Sequence, residues 1–337
     1  MFEEATPSVD RDSELEGPVL VDPWSARPIP LTGRLEKAGF PPWMTLMIGL
    51  VLAFVLFQGI SLVVTIVLLA ANDVSLSDLT IDLEAVLERN AGEIMIANTV
   101  GQVFGLLIPA LLFARLHSRN GAGFLRLRSA DVRLVVLSIV GLVALVPVVQ
   151  WIGGVFDSLP WPEFIREFEQ AQMDLIERIL LQDFTVMFAL SMMALTPAVC
   201  EEILFRGYIQ RQAERSMGVL GGILFSGLIF GLYHLRPTQA VPLGILGIYL
   251  AYLTWRSGSI IPAIIVHFAN NAFAVALGRF ASIEEGRTMD IESFEMPLYI
   301  VLPAAVILVV ATIAYERTAH AILEDNRADR IEPEEVL

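Results

Sequence analysis

Six polar or ionisable residues stand out because they interrupt long apolar stretches. Glu201 and Glu202 are adjacent, and Arg206 follows Glu202 by four residues. On a helix, Glu202 and Arg206 share one face in the acid-before-base order that favours an ion pair, whereas Glu201 points about 100° away. Charged groups in apolar helices are costly, so they are usually paired or functional. We therefore predict a supporting pair of Glu202 with Arg206 and a carboxylate at Glu201 directed elsewhere.

Two further pairs of residues have the same four-residue spacing. His234 follows Phe230, and Asn271 follows His267. On helices, each pair presents its side chains on one face. Carboxylates and imidazoles are the usual groups of acid–base catalysis, and imidazole or amide N–H groups can stabilise a developing negative charge. The composition of the set therefore suits hydrolysis, although for Phe230 core packing is the simpler interpretation.

The depth of these residues along their helices also predicts a common site. With a turn near Ser216 and a rise of about 1.5 Å per residue, Glu201 and His234 lie within about 5 Å of the same level. His267 and Asn271 lie about 15 to 21 Å beyond the next turn on that side. Polar residues from three helices can thus converge in the interior.

The composition indicates a membrane environment for these helices. Of 337 residues, 55% are hydrophobic and only 18% are charged, which is too apolar for an ordinary soluble domain. Apolar runs of about 18 residues or more recur, and they are too long for barrel strands, so helices must satisfy the backbone. The predicted fold class is an all-α, polytopic integral membrane helical bundle of about eight transmembrane helices. The predicted spans are roughly 44–71, 93–114, 134–156, 184–205, 218–235, 238–255, 259–278 and 297–315.

Charge and proline content divide the chain into three regions. Residues 1–42 contain seven prolines and twelve charged residues, which predicts a disordered acidic cytoplasmic tail. Residues 43–316 form the transmembrane domain, and 317–337 form a second acidic tail. Sixteen of the 22 Lys and Arg residues lie in the tails and on the same side of the predicted spans. This bias predicts that both termini are in the cytoplasm, and we expect a multi-pass protein of the plasma membrane.

Two loops on the opposite side have helical apolar spacing, which predicts helices lying on the outer surface. The apolar residues are Leu79, Leu83, Val86 and Leu87 in one loop, and Phe164, Phe168, Leu175, Ile176, Ile179 and Leu180 in the other. The acidic faces of both helices favour packing on the bundle over attraction to anionic lipid.

Charge and cysteine content exclude several classes of protein. The net charge of -15 argues against nucleic acid as a partner, because phosphate binding needs clustered Lys and Arg. The single cysteine, Cys200, cannot form an internal disulfide.

The three motifs together resemble those of a known family. They are EExxxR at 201–206, FxxxH at 230–234 and HxxxN at 267–271, in that order on successive apolar helices. The arrangement is similar to the CPBP family of intramembrane proteases, which includes the type II CAAX prenyl endopeptidase and bacterial Abi proteins. The similar region covers about 180–280, which would be the catalytic core.

The resemblance implies a role for each motif residue. Glu201 would be the general base that activates water, with His234 sharing its proton or holding the water. His267 and Asn271 would stabilise the oxyanion, supported by the pair of Glu202 and Arg206. The implied activity is an endopeptidase without an obligate cofactor, acting in the bilayer on a membrane-associated or lipidated protein or peptide.

Other interpretations stay open at this stage. Two histidines and a glutamate can bind zinc, although the HExxH spacing is absent. A cysteine protease based on Cys200 would need an adjacent histidine and an exposed thiolate. Glu201, His234 and His267 could also form the proton relay of a transporter, although no inverted repeat is visible. A scaffold or immunity protein without activity would keep the same helices.

Overall fold

The structure is a computed structural model that describes residues 18–285 and 296–331. The described chain folds into twelve helices and one short antiparallel strand pair. Strands β1 (Val19–Leu20) and β2 (Ile29–Pro30) precede the helices. Helices α1 to α12 span Arg34–Lys37, Pro42–Ala71, Leu76–Ile81, Leu83–Arg89, Ala91–His117, Gly121–Phe124, Val132–Asp157, Glu163–Leu181, Val186–Tyr233, Ala240–Ser257, Ile261–Glu285 and Leu298–Ile331.

The predicted polytopic helical bundle is confirmed. Within the described residues, six helices are long and apolar enough to cross a membrane: α2, α5, α7, α9, α11 and α12. The eight predicted segments differ from these six in two respects. Helix α10 is not among the six, and α9 counts once although it covers two predicted segments. Helix α9 has 48 residues and breaks at Gly218, whose φ of 78° and ψ of 172° are not helical. We name its arms α9a (186–217) and α9b (219–233).

The N-terminal segment corrects one prediction. Residues 18–37, which the sequence indicated as part of a disordered tail, contain β1, β2 and α1. The Asp22 carboxylate is buried and accepts hydrogen bonds from Arg128 and Arg211, each at 2.8 Å. Glu36 likewise pairs with His117 at 2.6 Å and Arg215 at 2.8 Å. These partners lie far along the chain, so the local composition could not reveal the order. The predicted disorder of residues 1–17 lies outside the described residues.

Helix α9a is not a regular α-helix. The α-helical segment Thr196–Glu202 lies between two π-helical turns, Ser191–Leu195 and Ile203–Ile209. Such wide turns insert an extra residue into the helix and are frequent at functional sites. Pro197 lies at the start of the α-helical segment, where its missing N–H is tolerated. The adjacent glutamates therefore stand on a short segment whose orientation is set by both π-helical turns.

Small residues allow α9b to approach α10 closely. A Cβ atom at Gly227 would collide with the backbone of Ile248, and one at Gly231 would collide with the carbonyl of Ala240. The backbones of Gly227 and Gly247 are in direct contact for the same reason. Gly227 and Gly231 thus allow close helix packing, which brings α10 against the helix that carries Phe230.

The two loop helices predicted from apolar spacing are present as α3 with α4 and as α8. Helix α8 packs against the bundle, as its acidic face indicated. Ile179 is buried in a cluster with Met192 and Met193, and a side-chain atom of Leu180 contacts the backbone at Gly278. Their location on the outer surface remains a prediction.

Candidate active site

Glu202 is the centre of the polar cluster. Its side chain is fully buried, and its Oε1 atom accepts a hydrogen bond from Arg206 Nη1 at 2.8 Å. The same oxygen lies 2.8 Å from His267 Nδ1, and the second oxygen, Oε2, has no hydrogen-bond partner among the described residues. The predicted pair with Arg206 is therefore present. The bond to His267 was not predicted, and it joins α9a directly to α11.

Arg206 is fully buried and has three kinds of contact. Its Nη1 donates to Glu202, and its Nη2 donates to the carbonyl of Gly247 at 3.1 Å. Its guanidinium carbon lies 4.3 Å from the ring centroid of Phe230, a cation–π distance. A buried charge needs such partners, because an uncompensated one costs several kcal/mol. The sequence offered no signal for Gly247, since the contact depends on the packing of α10.

Phe230 is more than core packing. Its ring is 1% exposed and has edge-to-face contacts with His234, at 4.8 Å between centroids, and with His267, at 5.6 Å. Phe205 packs against a third position on the ring at 5.4 Å. The Phe230 ring thus contacts both histidines and restricts the orientation of each imidazole.

His234 is held by its own helix. It ends α9b, and its Nδ1 lies 2.7 Å from the carbonyl oxygen of Phe230. Because a carbonyl only accepts hydrogen bonds, Nδ1 must carry the proton of the neutral ring, which leaves the lone pair on Nε2. His234 is therefore oriented as a proton acceptor at Nε2.

Glu201 differs from Glu202 in its bonding. It is partly buried, and its Oε2 is shielded from solvent without a hydrogen-bond partner among the described residues. A buried oxygen of this kind is unfavourable unless a donor reaches it. Both carboxylates thus have one buried oxygen without a partner among the described residues, but only Glu202 is bonded to other side chains and joins two helices.

Asn271 is loosely held one turn beyond His267. Its Nδ2 lies 3.5 Å from the carbonyl of Met193, and its Oδ1 lies 3.3 Å from Nδ2 of Asn270. Both distances are at the long end for a hydrogen bond. Met193 belongs to the first π-helical turn of α9a, so Asn271 and His267 both contact α9a.

The structure thus unites most of the predicted residues through direct contacts. Arg206, His234 and His267 contact the Phe230 ring, Glu202 is bonded to Arg206 and His267, and Asn271 follows on the His267 helix. No hydrogen bond within the described residues joins Glu201 to His234, or His267 to Asn271. In the same part of the chain, no three His, Cys, Asp or Glu side chains converge closely enough to hold a metal ion.

The fold and site define an integral multi-pass membrane protein with a buried carboxylate–imidazole cluster. Residues 183–273 match the family described as type II CAAX prenyl endopeptidase Rce1-like. The match covers just over a quarter of the chain and includes all six predicted site residues. It confirms the resemblance to the CPBP family of intramembrane proteases and supports an endopeptidase of the CAAX-protease type. Comparison with curated proteins and with solved structures yields no match.

Proposed function

We propose that this protein is an intramembrane endopeptidase in which Glu201 activates the water that hydrolyses a peptide bond. The observation that carries the proposal is the buried, unpartnered Oε2 of Glu201 beside a cluster whose other charges are paired. A carboxylate oxygen without a donor is free to accept a proton from water, as a general base must. The adjacent Glu202 is less suited to this role, because a proton on its second oxygen would neutralise the carboxylate that is bonded to Arg206 and His267 through Oε1.

The proposed first step is attack of water on the substrate carbonyl. Glu201 accepts one proton of the water while the water oxygen forms a bond to the carbonyl carbon. His234 Nε2, which has the lone pair, accepts a hydrogen bond from the same water and orients it. The product of this step is a tetrahedral intermediate with a negatively charged oxygen.

His267 and Asn271 are the proposed donors to that oxygen. Because Nδ1 of His267 bonds to the Glu202 carboxylate, Nε2 can donate only when the ring carries both protons. The role therefore requires an imidazolium, with Glu202 as its counter-charge. Asn271 has only a long bond to Met193, so its amide can turn towards a substrate oxygen at small cost. Donors of this kind are typically worth about 2.7 to 4 kcal/mol each.

Collapse of the intermediate completes the proposed cycle. The C–N bond breaks, the proton held by Glu201 passes to the leaving amine, and the carboxylate is restored. Every proton in this scheme belongs to the water or the side chains, so no cofactor is required. We propose a membrane-associated or lipidated protein or peptide as the substrate, in the plasma membrane and with both termini of the enzyme in the cytoplasm.

The experiment that tests the proposal is a search for new peptide termini by mass spectrometry. Wild type, Glu201→Gln and the matched control Glu167→Gln, an exposed residue of α8, are each reconstituted with solubilised host membrane proteins. New termini with wild type and the control, but not with Glu201→Gln, would support the proposal and reveal the substrate. No new termini with any folded variant would overturn it in favour of a transporter or scaffold.

A further inference from the structure

Glu169 is a buried carboxylate outside the cluster described above. It lies on α8, where Phe168 is 52% exposed but Glu169 is only 7% exposed. An amphipathic helix normally directs its acidic residues to solvent, and a buried charge is retained only where it is bonded. The position of Glu169 therefore requires a specific partner.

That partner is Thr238, in the turn between α9b and α10. The Thr238 backbone N–H donates to Oε1 at 3.0 Å, and its hydroxyl donates to Oε2 at 2.8 Å. Both carboxylate oxygens therefore accept a hydrogen bond from the same residue. Thr238 is 2% exposed, so water does not replace these bonds readily. The contact joins residues 69 positions apart and crosses from α8 into the segment matched by the family.

The turn held by Glu169 is the one that follows His234. His234 is the C-cap of α9b, directly after its last residue Tyr233, and Leu235 has a φ of 56° in the left-handed region. A leucine in this region is unfavourable and persists only where its surroundings fix it. Bonds within the turn run from Leu235 N–H to Leu232 and from Gln239 N–H to Arg236, which leaves the Thr238 N–H for Glu169.

The other end of α8 lies against the opposite side of the site. Ten residues after Glu169, or about 15 Å along the helix, Ile179 packs beside Met193, whose carbonyl bonds Asn271. Helix α8 therefore connects the turn next to His234 with the region next to Asn271.

We propose that Glu169 is a positioning residue that holds the His234 imidazole in its working orientation through Thr238. This inference rests on the proposed function only for the meaning of that orientation; the bond to Thr238 and its effect on the His234 ring can be measured without activity. Removing the carboxylate frees the N–H and hydroxyl of Thr238, relaxes the left-handed turn at Leu235 and releases the end of α9b that carries the imidazole.

The test is ¹⁵N NMR of the histidine rings in the full-length protein, prepared as wild type, Glu169→Gln, Thr238→Val and the control Glu167→Gln. The chain has four histidines, so each ring can be assigned by single substitution. We expect Glu169→Gln and Thr238→Val to shift or broaden the His234 Nδ1 and Nε2 signals while the His320 signals stay fixed. The control should leave all of them unchanged.

Cleavage of the substrate found with wild type provides the second readout. A displacement of His234 by about 1 Å should lower cleavage roughly 10²-fold in Glu169→Gln, with the control at the wild-type rate. Unchanged His234 signals in Thr238→Val and in folded Glu169→Gln would overturn the positioning role, whatever the activity. If Glu169→Gln does not fold, Thr238→Val decides by the same criterion. Shifted signals in a protein whose wild type has no peptidase activity would refute the proposed function but keep the link from Glu169 to His234.

Discussion

His267 donates through Nδ1 to the same Glu202 oxygen that accepts from Arg206, both at 2.8 Å. One carboxylate oxygen thus joins a cation of its own helix to an imidazole of another. Because the oxygen is shared, loss of Glu202 affects the stability of the bundle and the state of His267 together. The adjacent Glu201 has no such partner, so substitutions at the two glutamates should be separable by measurement.

Glu202→Gln should destabilise the protein. The substitution removes the carboxylate that forms the ion pair with the buried Arg206 guanidinium, and breaking a buried ion pair typically costs about 3 to 5 kcal/mol. We expect a clearly lower Tm in detergent and reduced cleavage. The control is Glu163→Gln, an exposed residue of α8, whose Tm should equal that of wild type. An unchanged Tm for Glu202→Gln would contradict the structural role of the pair.

Glu201→Gln should affect activity and not stability. Cleavage should fall below detection because an amide cannot accept the proton of water, whereas the Tm should stay within a few degrees of wild type because Oε2 loses no partner. Both quantities are to be measured on one preparation. Full cleavage by the variant would rule out Glu201 as the base.

Phe230→Leu should impair activity more than stability. Leucine keeps much of the buried volume but removes the ring faces that contact Arg206, His234 and His267. We expect roughly a 10-fold or larger loss of cleavage, with about 1 to 2 kcal/mol lost in unfolding, in the range of buried large-to-small substitutions. The matched control is Phe164→Leu, since Phe164 is 70% exposed. Equal losses of cleavage in the two variants would argue against a specific role of the Phe230 ring in the site.

The N-terminal hairpin should make stability dependent on pH. Burial opposes ionisation of Asp22, but the guanidinium groups of Arg211 and Arg128 outweigh it and hold the pKa of Asp22 below its ordinary value. The stabilisation is therefore present above the ordinary pKa of about 3.9 and is lost as the pH falls through the lowered value. Asp22→Asn should have a lower Tm than wild type at pH 7, and this difference should shrink below about pH 4. A difference independent of pH would contradict the assignment.

Metal chelation distinguishes the proposed water activation from the zinc alternative. Cleavage should continue at the wild-type rate after prolonged treatment with EDTA and orthophenanthroline, because the proposed scheme uses only side chains and water. A loss of activity that added zinc restores would favour a metal enzyme.

The sequence predicted those features that depend on residues close together in the chain. Runs of apolar residues predicted the helices, and the four-residue spacing of Glu202 and Arg206 predicted their pair, because both depend on one helix alone. The bond from His267 to Glu202 could not be predicted, since two side chains at one depth can still face different directions.

The N-terminal segment shows the same limit. Its prolines and charges indicated disorder, yet Asp22 finds its partners 106 and 189 residues away. Thr238 and Glu169 are also distant in sequence, and a glutamate on an acidic helix face gave no sign that it would be buried. Long-range partners of charged residues are therefore what sequence patterns miss in this protein.

Gly218, at the break of α9, is the point where the two arms of this helix fold back on each other. A continuous helix of 48 residues would be about 72 Å long, more than twice the apolar thickness of a bilayer, so the chain has to double back. Arg206 and Phe230 each lie twelve residues from Gly218, and the guanidinium of one lies over the ring of the other. One residue inserted into either arm would move one half of the site by about 1.5 Å and rotate it by about 100°. The lengths of the two arms are therefore as much a part of the site as the residues in it.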